Sequence, residues 1–389
     1  MKILSRFRHE IVRGLIVVVV AMFGTYMLNQ SRAFHAFEHL ILSLEENIRE
    51  NVRTKPPPPI VVVKISDLEY DDYFDGVNPL NPEKLDELIY TILWSGASLI
   101  AVDIDTSHGE FRNFKIDPKL PVFWERDASI PESGKEQEIV PLDVLGGSDP
   151  NTFVARSGVP ALLDDPMDGV TRLYKRCIET RAGPVPSFVN VIATAWNSPN
   201  KQIPDIGNIC GDGDTTQLYV IGYSFDETDI VPAQVLISSG EKSDHQGELI
   251  VPALKDKLVL LGGSYRDFDR HFTPIGTRPG VVVLANALQT VLVEKHPTSY
   301  PPVWVLFVLE LVAATGIVVL FAVADFSATK ALLVGVLGLG LAAGLGRFVS
   351  WSWSATIAST LLAVLAFEIY EHVRHKSVLH VAHSKGRKA

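Results

Sequence analysis

The chain has 389 residues, 47% of them hydrophobic, with 35 Lys and Arg against 45 Asp and Glu and a formal net charge of −10. At about 150 residues per domain, this length accommodates two or three domains. The charge is uneven, and that unevenness argues against nucleic acid as the main partner and, with the hydropathy below, excludes a simple cytosolic enzyme.

Between residues 31 and 300 stand 24 basic and 40 acidic residues, a net −16, while the two ends carry 11 basic and 5 acidic residues, a net +6. Residues 11–28 hold one charge, Arg13, and centre on Leu15-Ile16-Val17-Val18-Val19-Val20. Lipid offers no partner for an open backbone hydrogen bond, so a crossing helix needs about 20 mainly apolar residues. With its flanks this run predicts a span over 11–29, behind a basic cytoplasmic segment 1–10. The rival reading is a cleaved signal peptide ending near Ser31-Arg32-Ala33. The uncleaved anchor is preferred, because no small-x-small site lies close to the apolar core and Arg32 is an awkward cleavage neighbour.

Residues 30–300 are predicted to form one α/β domain outside the membrane. Phe34, Phe37, Leu40, Ile41, Leu44 and Ile48 recur at spacings of three and four, predicting a membrane-proximal helix over 32–53 that the prolines at 56–59 end. Ile60-Val61-Val62-Val63-Lys64-Ile65 is β-branched and predicts a buried strand. Asn81 is placed to cap the next helix, with Pro82 at its first position and Leu85, Leu88, Ile89, Ile92 and Leu93 as its apolar stripe. Gly96 stops it, and residues 98–103 give a second strand, completing a βαβ unit with a parallel strand pair.

Residues 111–149 are polar, rich in Pro and Gly and weakly periodic, and are expected to be an insertion or long loops. Residues 159–163 and 170–178, about a turn at Asp168-Gly169, read as a hairpin-like pair. A short helix is expected over 187–196, strands over 218–222 and 258–261, and a helix over 280–293. The fold class that follows is α/β, a mainly parallel or mixed sheet with helices on both faces, joined to transmembrane α-helices. Cys177 and Cys210 fall in the external block, where oxidising conditions permit a disulfide; two unrelated buried thiols are the alternative.

Three more apolar runs follow residue 300, one with the single charge Glu310 and two with none. They predict spans over 302–324, 329–347 and 349–370 and a basic cytoplasmic tail over 371–389. Lys and Arg at both ends place both termini in the cytoplasm, and four crossings make those placements consistent. Glu310 is expected at a helix contact or snorkelling to the surface. Gly340 and Gly344 give the third span a small-residue packing motif. The lipid bilayer is therefore a partner, and a homo-oligomer or hetero-complex is expected. The tail's His372, His375, His380 and His383 read as part of a basic, lipid-facing segment rather than as metal ligands.

Several motifs occur here in a particular order. They are Ile60-Val61-Val62-Val63, Leu93-Trp94-Ser95-Gly96-Ala97, Leu99-Ile100-Ala101-Val102-Asp103-Ile104 and Asp168-Gly169-Val170-Thr171-Arg172, then Leu254 through Gly263, Phe272-Thr273-Pro274, Pro279-Gly280-Val281 and Ala285-Asn286-Ala287-Leu288. In that order, over residues 40–298, they resemble the CHASE2 extracellular sensor domain, with one helix before it and three after. The resemblance implies a bacterial inner-membrane receptor whose outer domain passes a stimulus to a kinase or cyclase. The chain departs from that pattern at Val282 and Leu284, where an acidic residue and a His are common. About 20 residues follow the last predicted helix and carry no such output domain, so a stand-alone form is expected.

Ligands of open α/β sheets sit beyond the carboxyl ends of the strands. Those ends are Ser66-Asp67, Asp103-Ile104-Asp105 and Gly262-Gly263-Ser264. Asp67, Asp103 and Asp105 thus crowd one edge, with Asp103 and Asp105 on one face if the strand continues. Crowded like charges favour a bound cation, a polyol or a raised pKa. The alternative is that such aspartates cap the next turn or helix. Asp269, in the charged loop after Gly262-Gly263, joins the candidates, with solvated surface as its alternative.

The sequence carries no Gly-x-Ser-x-Gly, His-Glu-x-x-His or P-loop motif, so no catalytic residue, metal or cofactor is predicted. The preferred function is an inner-membrane sensor or scaffold signalling through its helices to a separate chain. The alternative is a non-catalytic subunit of an envelope complex, and an external enzyme built on Asp103 and Asp105 ranks last.

Overall fold

The computed structural model describes residues 59–293, apart from residues 115–116, 118, 130–138, 148–155, 165–168, 199–208, 212–214, 216, 241–250 and 268. The four predicted spans, the helix over 32–53, the tail, Glu310, Gly340 and Gly344 lie outside the described residues. Among those described, no helix is long and apolar enough to cross a membrane. Thr54–Pro297 form one compact unit.

The elements follow in chain order. Strand β1 is Ile60–Ile65, followed by the short helix α1 (Asp67–Asp72) and by α2 (Pro82–Trp94). Strands β2 (Leu99–Asp103), β3 (Val122–Glu125) and β4 (Ser157–Gly158) come next. Four short strands follow: β5 (Leu162–Asp164), β6 (Thr171–Tyr174), β7 (Cys177–Thr180) and β8 (Gly183–Pro186). Helix α3 (Phe188–Asn197), β9 (Tyr219–Val220), β10 (Ile230–Pro232) and α4 (Ala233–Gly240) lead to β11 (Leu258–Gly263). The hairpin β12 (Arg270–Thr273) and β13 (Gly276–Pro279) then runs into α5 (Gly280–Val293).

Six strands form one wholly parallel sheet in the order β10-β1-β11-β2-β3-β4. Period-two alternation divides its side chains between two faces. Val61, Val63, Ile65, Ile100, Val102, Trp124, Val259 and Leu261 meet the Leu85, Leu88, Ile89 and Ile92 stripe of α2 and Leu236 of α4. On the other face Ile60, Val62, Leu99, Ala101, Phe123, Leu258 and Leu260 meet α3 and α5. Both faces are covered, so β1, β2 and β11 open with continuous apolar runs rather than alternating. Helix α2 starts as expected: Asn81 Oδ1 accepts from Glu83 N at 3.0 Å, and Pro82 needs no donor there.

Four expectations change. Strands β1 and β2 are parallel but not paired, because the apolar β11 inserts between them and bonds to both. The stretch 111–149 is not all loop: Val122-Phe123-Trp124 is a buried strand in the main sheet. Residues 170–178 are not one strand, since they break at Lys175 and Arg176 into β6 and β7. The 218–222 strand joins not the main sheet but a small antiparallel one, β9-β6-β5, whose β5–β6 pair is the hairpin read about Gly169. A disulfide joins Cys177 of β7 to Cys210, with their Cα atoms 6.0 Å apart.

Candidate functional site

The carboxyl ends of β1, β11, β2 and β3 lie side by side along one edge of the sheet. Ser66, after β1, caps α1 in a reciprocal box with Glu69. Asp67 is exposed, and its Oδ1 accepts the Arg266 N–H at 2.7 Å. It therefore fastens the loop after β11 instead of facing Asp103. Arg266 and Asp267 of that loop both have positive φ, 55° and 54°, a conformation costly for residues with a Cβ. Fixing it are the Arg266–Asp71 and Arg270–Asp267 ion pairs and the seat of the Arg266 guanidinium over Tyr70.

Gly262 and Gly263 serve opposite faces. Gly262 is level with Asp103, and a Cβ on it would lie 2.7 Å from Val281 Cβ and 3.0 Å from Asp103 Oδ2. The missing side chain lets the first turn of α5 and the Asp103 carboxyl both approach the strand. A Cβ on Gly263 would instead meet the Tyr265 ring at 2.5 Å, and Tyr265 stacks on Tyr70 with centroids 4.3 Å apart. Ser264 extends the strand pairing, its N–H donating to Ile65 O at 2.7 Å.

The second strand ends at Asp103, so Asp103 and Asp105 do not share a strand face. Asp105 is exposed and closes its own turn, with Oδ1 accepting from Ser107 N at 2.9 Å and Oδ2 3.2 Å from His108 Nε2. The carboxyl that does meet Asp103 is Glu125. Val102 is level with Trp124, which brings the next residue of each strand to the same height at the edge, where each carboxyl perturbs the other.

Burial, tempered by the bond to Glu125, pushes the Asp103 carboxyl up to about 6, with Asp269 adding repulsion and His271 opposing it. Glu125 is raised well above the usual carboxylate range, by burial first and then by the charges of Asp103, Asp269 and Asp127. The same cluster bears on Tyr265, whose hydroxyl burial pushes up to about 12, with Asp103, Asp269 and Asp105 among the contributing charges.

A short chain of contacts runs through Asp269 to the helix on the second face. Asp269 Oδ1 lies 3.2 Å from His271 Nε2, and His271 Nδ1 lies 3.0 Å from Thr171 Oγ1 and 3.4 Å from Asp164 Oδ1. The Asp269 bond, outweighing burial, raises the His271 pKa and favours its cation between two aspartates. The main-chain carbonyl of Asp269 accepts from Gly280 N at 3.0 Å, and a Cβ on Gly280 would lie 1.8 Å from Asp269 Oδ2. Asp269 therefore sits directly on the first residue of α5, at the positive end of the helix dipole.

Of the residues singled out in the sequence, Asp103, Gly262 and Asp269 gather at one place. Gly263 serves the opposite face, while Asp67, Asp105 and Ser264 hold loops. Glu125 escaped notice because its strand was hidden in a Pro/Gly-rich stretch, although Val122-Phe123-Trp124-Glu125 repeats the apolar-run-then-acid pattern of Leu99–Asp103. Among the described residues, no group of three or more His, Cys, Asp or Glu side chains is arranged to hold a metal ion. Comparison with known families finds that the CHASE2 domain model matches residues 15–324. No curated protein and no solved structure gives a significant match.

Proposed function

The chain belongs to the CHASE2 domain family, an extracellular sensory family, and on that premise we propose that it is a membrane-anchored sensor. Its α/β domain faces the extracytoplasmic side, and the stimulus acts at the carboxyl edge of the sheet, around Asp103, Glu125 and Asp269. The change leaves through α5 and the predicted membrane helices to a separate output chain. The observation that carries this reading is the join between the edge and α5: Asp269 belongs to the acidic cluster and also receives the Gly280 N–H. The Cys177–Cys210 disulfide supports the external placement, since such bonds persist in oxidising compartments. Glu310, Gly340 and Gly344 are the proposed helix-packing positions.

The test is purification of the tagged full chain from its own membrane in a mild detergent, with mass spectrometry of co-eluting proteins. The sensor reading expects a stoichiometric kinase, cyclase or regulator whose activity differs between wild type and Glu125→Gln. Recovery of envelope structural proteins alone, with no output activity that responds to the substitution, would favour the assembly-subunit alternative.

A further inference from the structure

We infer that the loop 264–269, between β11 and β12, is a strained latch held shut on α1 by exposed ionic contacts, and that rising ionic strength opens it. Its use as an input to α5 rests on the sensor reading; the latch itself does not.

The strain is in the backbone. Arg266 and Asp267 have φ of 55° and 54°, and among the described residues no other two consecutive residues with a Cβ are left-handed. Asp tolerates that region better than Arg does. Such residues persist only where their surroundings over-determine them, and they gather at switches.

Here the surroundings are charges. Asp67 Oδ1 accepts the Arg266 N–H at 2.7 Å, Asp71 Oδ1 lies 2.5 Å from Arg266 Nη2, and Arg270 Nε lies 2.6 Å from Asp267 Oδ1. The side chains of both ion pairs are between 49% and 73% exposed, so salt reaches them. The Arg266 guanidinium also covers Tyr70, 5.5 Å from its ring centroid. Beneath the charges lie contacts that do not depend on ion pairing: Tyr265 stacks on Tyr70 with centroids 4.3 Å apart, and Ser264 N donates to Ile65 O at 2.7 Å. They set where the opening stops. Ser264 stays with the sheet, and the part that lets go carries Arg266, Asp267 and Asp269.

The two sides of this balance respond differently to salt. Screening shortens the reach of surface charge from about 10 Å at 0.1 M to about 3 Å at 1 M and so weakens the pairs. Left-handed strain comes from contacts within the backbone and is not screened. Opening therefore grows with ionic strength. Its consequence falls on α5, because the Asp269 carbonyl accepts from Gly280 N at 3.0 Å and a Cβ on Gly280 would lie 1.8 Å from Asp269 Oδ2. A loop that releases Asp67 and Asp71 frees the residue seated on the first turn of α5.

The experiment is hydrogen exchange of the full chain in lipid nanodiscs at one pH, in about 0.05 M and about 1 M NaCl, read in peptides over 264–270. Wild type is expected to lose protection there by about twofold to thirtyfold at high salt, the range spanned by two exposed ion pairs. Sucrose at matching osmolality is expected to give no loss. Asp71→Asn should open at low salt and lose much of the salt response, whereas Glu227→Gln, which removes the exposed pair to Arg278 of β13, should keep it. Strain is tested by Asp267→Ala against Asp267→Gly. Both lack the pair to Arg270, but only Ala keeps the left-handed cost, so it should exchange about fivefold to thirtyfold faster. Salt-independent exchange in wild type, or a response as large in Asp71→Asn, overturns the ionic control; equal exchange of the Ala and Gly variants overturns the strain and the latch with it. Exchange is read without an output chain, so these outcomes leave the sensor reading to its partner test, and a failed partner search leaves the latch standing.

Discussion

Substituting Gly262 by Ala puts the closest approach in the site under direct test. The new methyl would lie 2.7 Å from Val281 Cβ, which is 0.7 Å inside the 3.4 Å lower bound of ordinary contact. Neither side can give way easily, because β11 is bonded to β1 on one side and β2 on the other, and Val281 is fully buried. Such overpacking costs about 1–3 kcal/mol, or about 2–12 °C in a domain of this size at about 2–4 °C per kcal/mol. The neighbouring Gly263→Ala collides with the Tyr265 ring instead, a half-buried side chain that can swing away at the cost of its stacking on Tyr70, about 0.5–1.5 kcal/mol. Thermal unfolding of the full chain in one detergent, followed by tryptophan fluorescence, should therefore order the proteins wild type, Gly263→Ala, Gly262→Ala by falling midpoint. A Gly262→Ala protein that unfolds together with wild type, or above Gly263→Ala, would refute the claim that α5 and β11 meet at van der Waals distance over that glycine.

Glu69 is 2% exposed and joins α1 to α4, accepting from Ser66 N at 2.8 Å and from Gln234 N at 3.1 Å. Glu69→Ala leaves those donors unpaired and is expected to cost about 1–3 kcal/mol in denaturant unfolding. Burial pushes this carboxyl up, but the bonds from Ser66 and Gln234 outweigh it and leave its pKa below the usual range. Its contribution is thus present above the unfolded value and lost as pH falls through the folded one, so the variant should show a weaker acid dependence of stability than wild type. Removing the disulfide with Cys177→Ala/Cys210→Ala frees a loop with a sequence separation of 33; chain entropy puts the loss at about 3–4 kcal/mol. Its check is a matching fall in the unfolding midpoint when the wild-type chain is reduced.

The strongest sequence signals were those that set a period. The IVVVKI run of β1, the Asn81-Pro82 start of α2 and the stripe of α2 each became the expected element, because local capping and two-sided burial act together there. Strand order was not legible: β1, β2 and β11 all open with unbroken apolar runs, and nothing in such runs says that β11 lies in the middle. The edge strands were also hidden, since Ser157–Gly158 and Ile230–Pro232 are too short to show a period. The site was half visible. Asp103 and Asp269 follow from the rule that ligands sit at strand ends, whereas Glu125 depends on pairing between strands 22 positions apart, a long-range relation that composition and spacing do not encode.

The central claim is an external sensory domain, and its most direct test uses the fact that both cysteines of the chain are joined to each other. Ala253 is exposed in the turn before β11, so Ala253→Cys supplies a single free thiol on the domain surface. Intact cells, with the outer barrier opened where one exists, would be treated with a membrane-impermeant maleimide, and the purified chain assayed for label. The account predicts labelling before the inner membrane is broken, to the same extent as after lysis. Protection until lysis would put the domain on the cytoplasmic side and contradict it.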